Sequence, residues 1–167
     1  VNKENTVNLI SEYLNENNSD IIFLQELFIP EFEKLDKSKY QYAYCDNNTG
    51  LSVLSKKKID VIKKIYFRKN IINYVFNSLN GFIVCYDKEN DVYLLNIHIR
   101  CLSFFFSEQL EHLKRELELL KKDNKKIIIG GDFNISRYYN IILKQLYKIE
   151  FNKEKKDNSY NYLADIN

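Results

Sequence analysis

The stretch that most constrains this chain is Lys126-Ile127-Ile128-Ile129-Gly130-Gly131-Asp132-Phe133-Asn134. Three branched apolar residues in a row predict a strand buried on both faces, which the two glycines end abruptly. Strand alternation then aims Asp132 and Asn134 to the same side. A carboxylate beside a carboxamide at the carboxyl end of a buried strand suits a metal ion and a phosphate better than a core. The same residues would also serve as a Gly-Asp turn capping the helix that follows. Taken alone, the stretch leaves both readings open.

The rest of the chain bounds the choice. At 167 residues it has the size of one domain, and the expectation is a single domain over residues 1–167. A hydrophobic fraction of 45% with 14% aromatics belongs to a globular protein. No apolar run approaches the ~18 residues of a membrane span, and no basic-then-apolar leader opens the chain. It begins at Val1 and contains no Met, which points to a processed, trimmed or partial polypeptide. The net charge of +2 carries no general signal for nucleic acid. Cys45, Cys85 and Cys101 are odd in number and lack C-x-x-C spacing. They are read as reduced core thiols, which predicts an intracellular setting.

Taken in order, Val7, Ile10 and Leu14 predict a helix over residues 6–17, capped by Asn5 or Thr6. Ile21-Ile22-Phe23-Leu24 predicts a second doubly buried strand, ending in Gln25-Glu26. Pro30 fits the first turn of a short helix over 31–37. Strands follow at Tyr40–Tyr44 and Leu51–Ser55, separated by the turn-formers Asp46 to Gly50. The run Lys56-Lys57-Lys58 is either a solvated strand end or a phosphate-facing patch. Ile59–Phe67 and Ile71–Phe76 are strand candidates, and Gly81–Tyr86 with Val92–Ile99 predicts a hairpin. Its second strand sets Asn96 and His98 on one face, where a histidine serves either as a hydrogen-bonded core residue or as a catalyst. Ser107 is the expected cap of a helix whose inner stripe is Leu110, Leu113, Leu117 and Leu120, with His112 off the stripe and solvated. A last helix is expected from Ser136, with Tyr139, Ile142, Leu143 and Leu146 inward. From Glu150 to Asp157 the chain turns polar, and the remainder to Asn167 shows no clear period.

Three strand ends therefore present polar groups: Gln25-Glu26, Asn96/His98 and Asp132/Asn134. With Asp20-Ile21-Ile22-Phe23-Leu24-Gln25-Glu26, Gly50-Leu51-Ser52-Val53-Leu54-Ser55-Lys56, Leu95-Asn96-Ile97-His98-Ile99 and Gly131-Asp132-Phe133-Asn134 in this order, the chain resembles the endonuclease/exonuclease/phosphatase superfamily, the DNase I-like metal-dependent phosphodiesterases. The resemblance spans most of residues 6–140. It implies an α/β (α+β) four-layer sandwich, two packed mixed β-sheets flanked by helices, with the site where strand ends converge.

The resemblance also implies roles. Glu26 would ligate Mg²⁺, with Mn²⁺ as the other candidate, and Gln25 and Asn96 would support the site from behind or touch substrate. Asp132 would orient or deprotonate the attacking water, Asn134 would hold a phosphate oxygen, and His98 would meet the scissile phosphate. The substrate would be a phosphodiester, in a nucleic acid or a phospholipid head group. Gly-Asp-Phe-Asn with Asn-Ile-His looks closer to the DNase and sphingomyelinase branches than to abasic-site endonucleases. Phe104-Phe105-Phe106 is either an aromatic loop facing a lipid or rings packed under the next helix. Against the family pattern, the chain lacks a first strand ending in Asn and a C-terminal Asp-His pair, since neither Asp157 nor Asp165 is followed by His. Two readings follow: an enzyme, of which these residues are a weak or inactive part, or a catalytically inactive domain that serves protein partners as a structural subunit.

Overall fold

The structure, a computed structural model, describes residues 3–67, 80–99, 103–134, 149–156 and 159–166. Within these the chain forms α1 (Lys3–Glu16), β1 (Ile21–Leu24), α2 (Ile29–Glu33), β2 (Tyr42–Asp46), β3 (Leu51–Ser55), β4 (Asp60–Tyr66), β5 (Gly81–Asp87), β6 (Val92–His98), α3 (Ser103–Lys121), β7 (Lys126–Asp132), β8 (Ile149–Lys156) and β9 (Ser159–Ile166). The strands build two sheets, one ordered β1-β3-β2 and one ordered β4-β5-β6-β7-β9-β8. The pairs β1–β3, β2–β3, β4–β5, β5–β6, β7–β9 and β8–β9 are antiparallel, and short turns join β2 to β3 and β5 to β6. The β6–β7 pair is parallel. Parallel neighbours need a long crossover, which α3 supplies.

Apolar periodicity sorts these elements into helix, sheet, sheet and helix. Val7 and Leu14 of α1 and Phe32 of α2 pack with Ile22 and Leu54 on the outside of the smaller sheet. Between the sheets lie Leu51 and Val53 from β3 with Ile83, Cys85 and Leu94 from β5 and β6. On the far side, Leu110, Leu113 and Leu117 of α3 cover Phe82, Val84, Leu95, Ile97 and Ile129. The four-layer α/β sandwich expected from the sequence is the fold observed.

Several local expectations shift. Among the described residues, the strands buried on both faces are β3, β5 and β6. In β1 only Ile22 is buried, and in β7 Ile128 is 43% exposed. The reason is layer geometry: β1 is an edge strand of the smaller sheet, and β7 lies under that edge, covered at Gly130 by the Phe23 ring. The helix α1 starts at Lys3, ahead of Asn5 and Thr6, and α2 is shorter than expected, with Pro30 in its first turn. The α3 helix begins at Ser103, so Ser107 is an exposed interior residue and does not cap it. Phe104–Phe106 are helical and form no loop. His112 is half-buried rather than solvated, its ring packing edge-on against Phe67 at 5.9 Å between centroids. Asn124, with φ 53°, turns the chain out of α3 in a left-handed conformation that Asn tolerates.

The polar tail after Glu150 is a β-hairpin, which reaches the larger sheet through Ile129 opposite Ala164. The strand expected at Ile71–Phe76 and the helix expected from Ser136 lie outside the described residues.

Candidate active site

Asn96 is the buried centre from which the site is built. It sits on β6 with no exposed surface, facing the smaller sheet. Its amide nitrogen donates to the carbonyl oxygens of Leu24 at 3.0 Å and Ser52 at 2.8 Å, which are paired neighbours on β1 and β3. Its oxygen accepts from Gln25 Nε2 at 2.7 Å. One carboxamide thus ties three strands across two sheets. A buried amide satisfied at every polar atom fixes its partners firmly, because any alternative leaves them without water or a bond. Asn96 lies behind the site and out of contact with solvent; Gln25 is half-buried between it and the surface.

That tie fixes the backbone immediately before Glu26. Glu26 itself has φ 57°, in the left-handed region. For a residue with a Cβ this conformation costs roughly 1–2 kcal/mol, so the surroundings must impose it. The turn carries the chain off β1 and leaves the Glu26 side chain 75% exposed, while Leu27 returns to the core at 5%. The Glu26 Oε1 stands 3.7 Å from Nε2 of His98, whose side chain is 10% exposed. His98 ends β6 on the same face as Asn96.

Asp132 lies beside His98 in the parallel ladder, and Ile99 N–H donates to the Asp132 carbonyl at 2.9 Å. Here the glycines act differently from the expectation. They do not end the strand, which runs through both to Asp132. A Cβ on Gly131 would lie 2.0 Å from the Ile97 carbonyl oxygen, and its φ of 138° is one that side chains rarely adopt. Glycine there lets β7 press against β6 and bring Asp132 level with His98. A Cβ on Gly130 would meet the Phe23 ring at 2.8 Å.

Beyond Asp132 the relation between the two polar residues is set by a turn, not by strand alternation. Phe133 is buried in the outer core, and Asn134 adopts φ 48°. The Asn134 N–H donates to Asp132 Oδ1 at 2.8 Å, and Asn134 Nδ2 donates to the Ile99 carbonyl at 2.7 Å. Among the described residues, Asp132 Oδ2 makes no hydrogen bond, and Asp132 is exposed. One oxygen is therefore held and the other faces solvent. Asn134 keeps one amide proton beyond its bond to Ile99.

Gln25, Glu26, Asn96, His98, Asp132 and Asn134 thus gather where β1, β6 and β7 end. The lysine run does not join them: Lys56 bonds Asn18 and Asp20, and Lys57 pairs with Glu89. Sequence reasoning missed Phe23 and the β2–β3 turn as parts of this region. Gly50 offered a signal, because a lone glycine after four turn-formers marks a close backbone approach. Cys45, half-buried beside this turn, has its thiol pKa pushed up by burial.

The family model for the endonuclease/exonuclease/phosphatase family matches residues 2–142. No curated protein matches the sequence. Among solved structures, truncated Caenorhabditis elegans TDP2 superposes with a TM-score of 0.62 at 18% identity, over 95% of this chain and 75% of that one. D. rerio TDP2 complexed with single strand DNA product gives 0.64 at 16% identity, over 98% and 77%. Beta toxin 275-280 from Staphylococcus aureus gives 0.63 at 16% identity, over 90% and 66%. At these identities the likeness is one of fold.

Proposed function

Because the chain belongs to the endonuclease/exonuclease/phosphatase family, we propose that it hydrolyses a phosphodiester bond with a divalent cation, Mg²⁺ first and Mn²⁺ second. The observation that carries this is the convergence of Glu26, His98 and Asp132 at one edge, with Glu26 held in a left-handed conformation and 3.7 Å from His98.

The donor set fits a hard cation. Among the described residues no three His, Cys, Asp or Glu side chains form a protein cage for a metal. Glu26 is instead a single exposed carboxylate, braced from behind by Gln25 and Asn96. Mg²⁺ uses one or two carboxylates and takes its other ligands from water and phosphate, whereas structural Zn²⁺ demands four protein ligands. Glu26 would hold the ion, which when bound supplies neutralisation of the phosphate charge.

The side chains divide the remaining work. Asp132 Oδ2 accepts a proton from water as that water's oxygen bonds to phosphorus, while Asn134 holds Oδ1 still. His98, whose Nε2 stands 3.7 Å from Glu26 Oε1, donates a hydrogen bond to a phosphoryl oxygen. The remaining Asn134 amide proton points a second donor at the phosphate. The ester P–O bond breaks, the leaving oxygen takes up a proton from solvent water, and Asp132 returns its proton to solvent.

Nucleic acid and phospholipid head groups share this chemistry. Phe104–Phe106, the stretch that would have favoured a lipid surface as a loop, is helical, which makes nucleic acid the first substrate to test. The test is hydrolysis of bis(p-nitrophenyl) phosphate, then of a single-stranded oligonucleotide and of sphingomyelin vesicles, with and without Mg²⁺. Glu26→Gln and Asp132→Asn run beside the unaltered chain. Activity that requires the ion and falls at least ~100-fold in both variants supports the proposal. Activity equal to the variants on all three substrates refutes it and leaves the inactive, protein-binding domain as the reading.

A further inference from the structure

The turn between β2 and β3 does more than join two strands. Asp46 is 4% exposed, and its Oδ2 accepts from Thr49 N–H at 3.1 Å and Thr49 Oγ1 at 2.7 Å. Its Oδ1 accepts from the Tyr66 hydroxyl at 3.0 Å, so β4 of the larger sheet braces the turn. The Thr49 hydroxyl oxygen also accepts from Leu51 N–H at 3.3 Å, and Gly50 N–H donates to the Asp46 carbonyl at 2.8 Å. Every hydrogen bond in this set stiffens the same five residues.

The stiffened turn presses on Glu26. Gly50 has φ 68°, and a Cβ there would lie 3.1 Å from Leu27 N and 3.3 Å from both Cα and C of Glu26. The Gly50 carbonyl accepts from Leu27 N–H at 3.0 Å, and the Cys45 thiol donates to the Leu27 carbonyl at 3.4 Å. Both backbone polar groups of the residue after Glu26 are therefore held by the β2–β3 hairpin. The residues before it are held by Asn96 from the other sheet. Glu26 stands between two anchors, with its backbone in the left-handed region.

We infer that Asp46, Thr49 and Gly50 are positioning residues for the Glu26 carboxylate, a buried clamp that holds a strained turn ready for a divalent cation. The inference rests on Glu26 being the residue that holds the ion. It makes a distinct claim, because the clamp never touches ion or substrate and acts through the Glu26 backbone alone.

The test measures Mn²⁺ binding by the full chain, by calorimetry and by electron paramagnetic resonance of free Mn²⁺, together with exchange of the Leu27 amide proton. Gly50→Ala is expected to weaken binding about tenfold and Thr49→Val about threefold, as substitutions behind metal ligands do. Leu27 amide exchange should accelerate in the same order. Leu113→Ala, which loosens the outer core far from the clamp, should lower thermal stability while leaving the Mn²⁺ dissociation constant unchanged. If Gly50→Ala does not fold, Thr49→Val decides alone. Wild-type affinity and a protected Leu27 amide in the clamp variants, with binding lost in Glu26→Gln, would overturn the clamp and spare the role of Glu26. Equal binding by the unaltered chain and Glu26→Gln would overturn both.

Discussion

Replacing Asn96 by alanine tests the idea that one amide holds the two sheets in register at the site. The substitution removes donors to Leu24 O and Ser52 O and the acceptor for Gln25 Nε2, all at 2.7 to 3.0 Å. A net contribution near 1 kcal/mol for each intramolecular hydrogen bond puts the loss at about 3 kcal/mol. Two considerations bracket that figure. Leu24 and Ser52 are also neighbours in the β1–β3 ladder, and a carbonyl can accept twice, so neither oxygen is left wholly orphaned. Against this, the truncation leaves a void at a position with no solvent access, which adds to the loss. The measurement is urea unfolding followed by circular dichroism, at constant slope, with a companion melt. For a chain of this size, about 3 kcal/mol corresponds to a fall in Tm of roughly 6–12 °C. Gln25→Ala removes only the outermost bond and opens a half-buried position through which water can reach Asn96 Oδ1, so it should cost about 1 kcal/mol, well short of Asn96→Ala. A loss below about 1 kcal/mol for Asn96→Ala would refute the reasoning, because three bonds would then contribute no more than one.

Three further outcomes are expected. Gly131→Ala should cost more than ~3 kcal/mol or prevent folding, since its Cβ meets backbone at 2.0 Å, whereas Gly130→Ala displaces only the Phe23 ring and should cost about 1–2 kcal/mol; urea midpoints separate the two. Ser107→Ala should raise stability by a few tenths of a kcal/mol as an exposed helix-interior change, and a loss of ~1 kcal/mol would instead mark a cap and a later helix start. Burial pushes the Cys85 thiol from 9.0 up to about 12, so its contribution to stability is intact below pH 9 and is lost as pH climbs toward 12, because the unfolded chain ionises there first. Iodoacetamide labelling mapped by mass spectrometry should find native Cys85 unreactive at pH 8, and modification at the rate of a free thiol would contradict its burial.

The elements of this site were readable where chemistry coincided with the end of an apolar run. Glu26 after Leu24 and Asp132 after the isoleucines mark points where a strand meets solvent, while His98 ends β6 with its side chain largely buried. What the chain did not disclose depends on partners remote in sequence. Burial of β1 and β7 turns on which strand of the other sheet lies above them, and no local pattern encodes that. The path of β7 through two glycines depends on the Ile97 carbonyl and the Phe23 ring, supplied by other strands. The start of α3 was misplaced because Ser103 and Ser107 are equally good caps, and the phenylalanines between them favour helix only weakly. The hairpin of the tail is poorly legible because the apolar Tyr160, Tyr162, Ala164 and Ile166 fall at alternate positions but Leu163 breaks the period and β8 is dominated by charges. The left-handed turn at Glu26 was beyond reach, since its cause lies in the hairpin that follows.

The span of the Asn96 bonds orders events in time. Its partners are 44, 71 and 72 residues away along the chain, while the strands of the β5–β6 hairpin meet across a turn of a few residues. Closing long loops is entropically unfavourable until much of the structure exists to reward it, so hairpins and α3 should form first and the Asn96 bonds last. Asn96 is then expected to have a φ-value near zero, with its loss appearing as faster unfolding rather than slower folding. Each partly folded species would carry the same side chains without their convergence. On the proposed function, affinity for a cation or a phosphate would appear only with the last tertiary contacts, and ligand binding would report completed folding where secondary-structure signals could not.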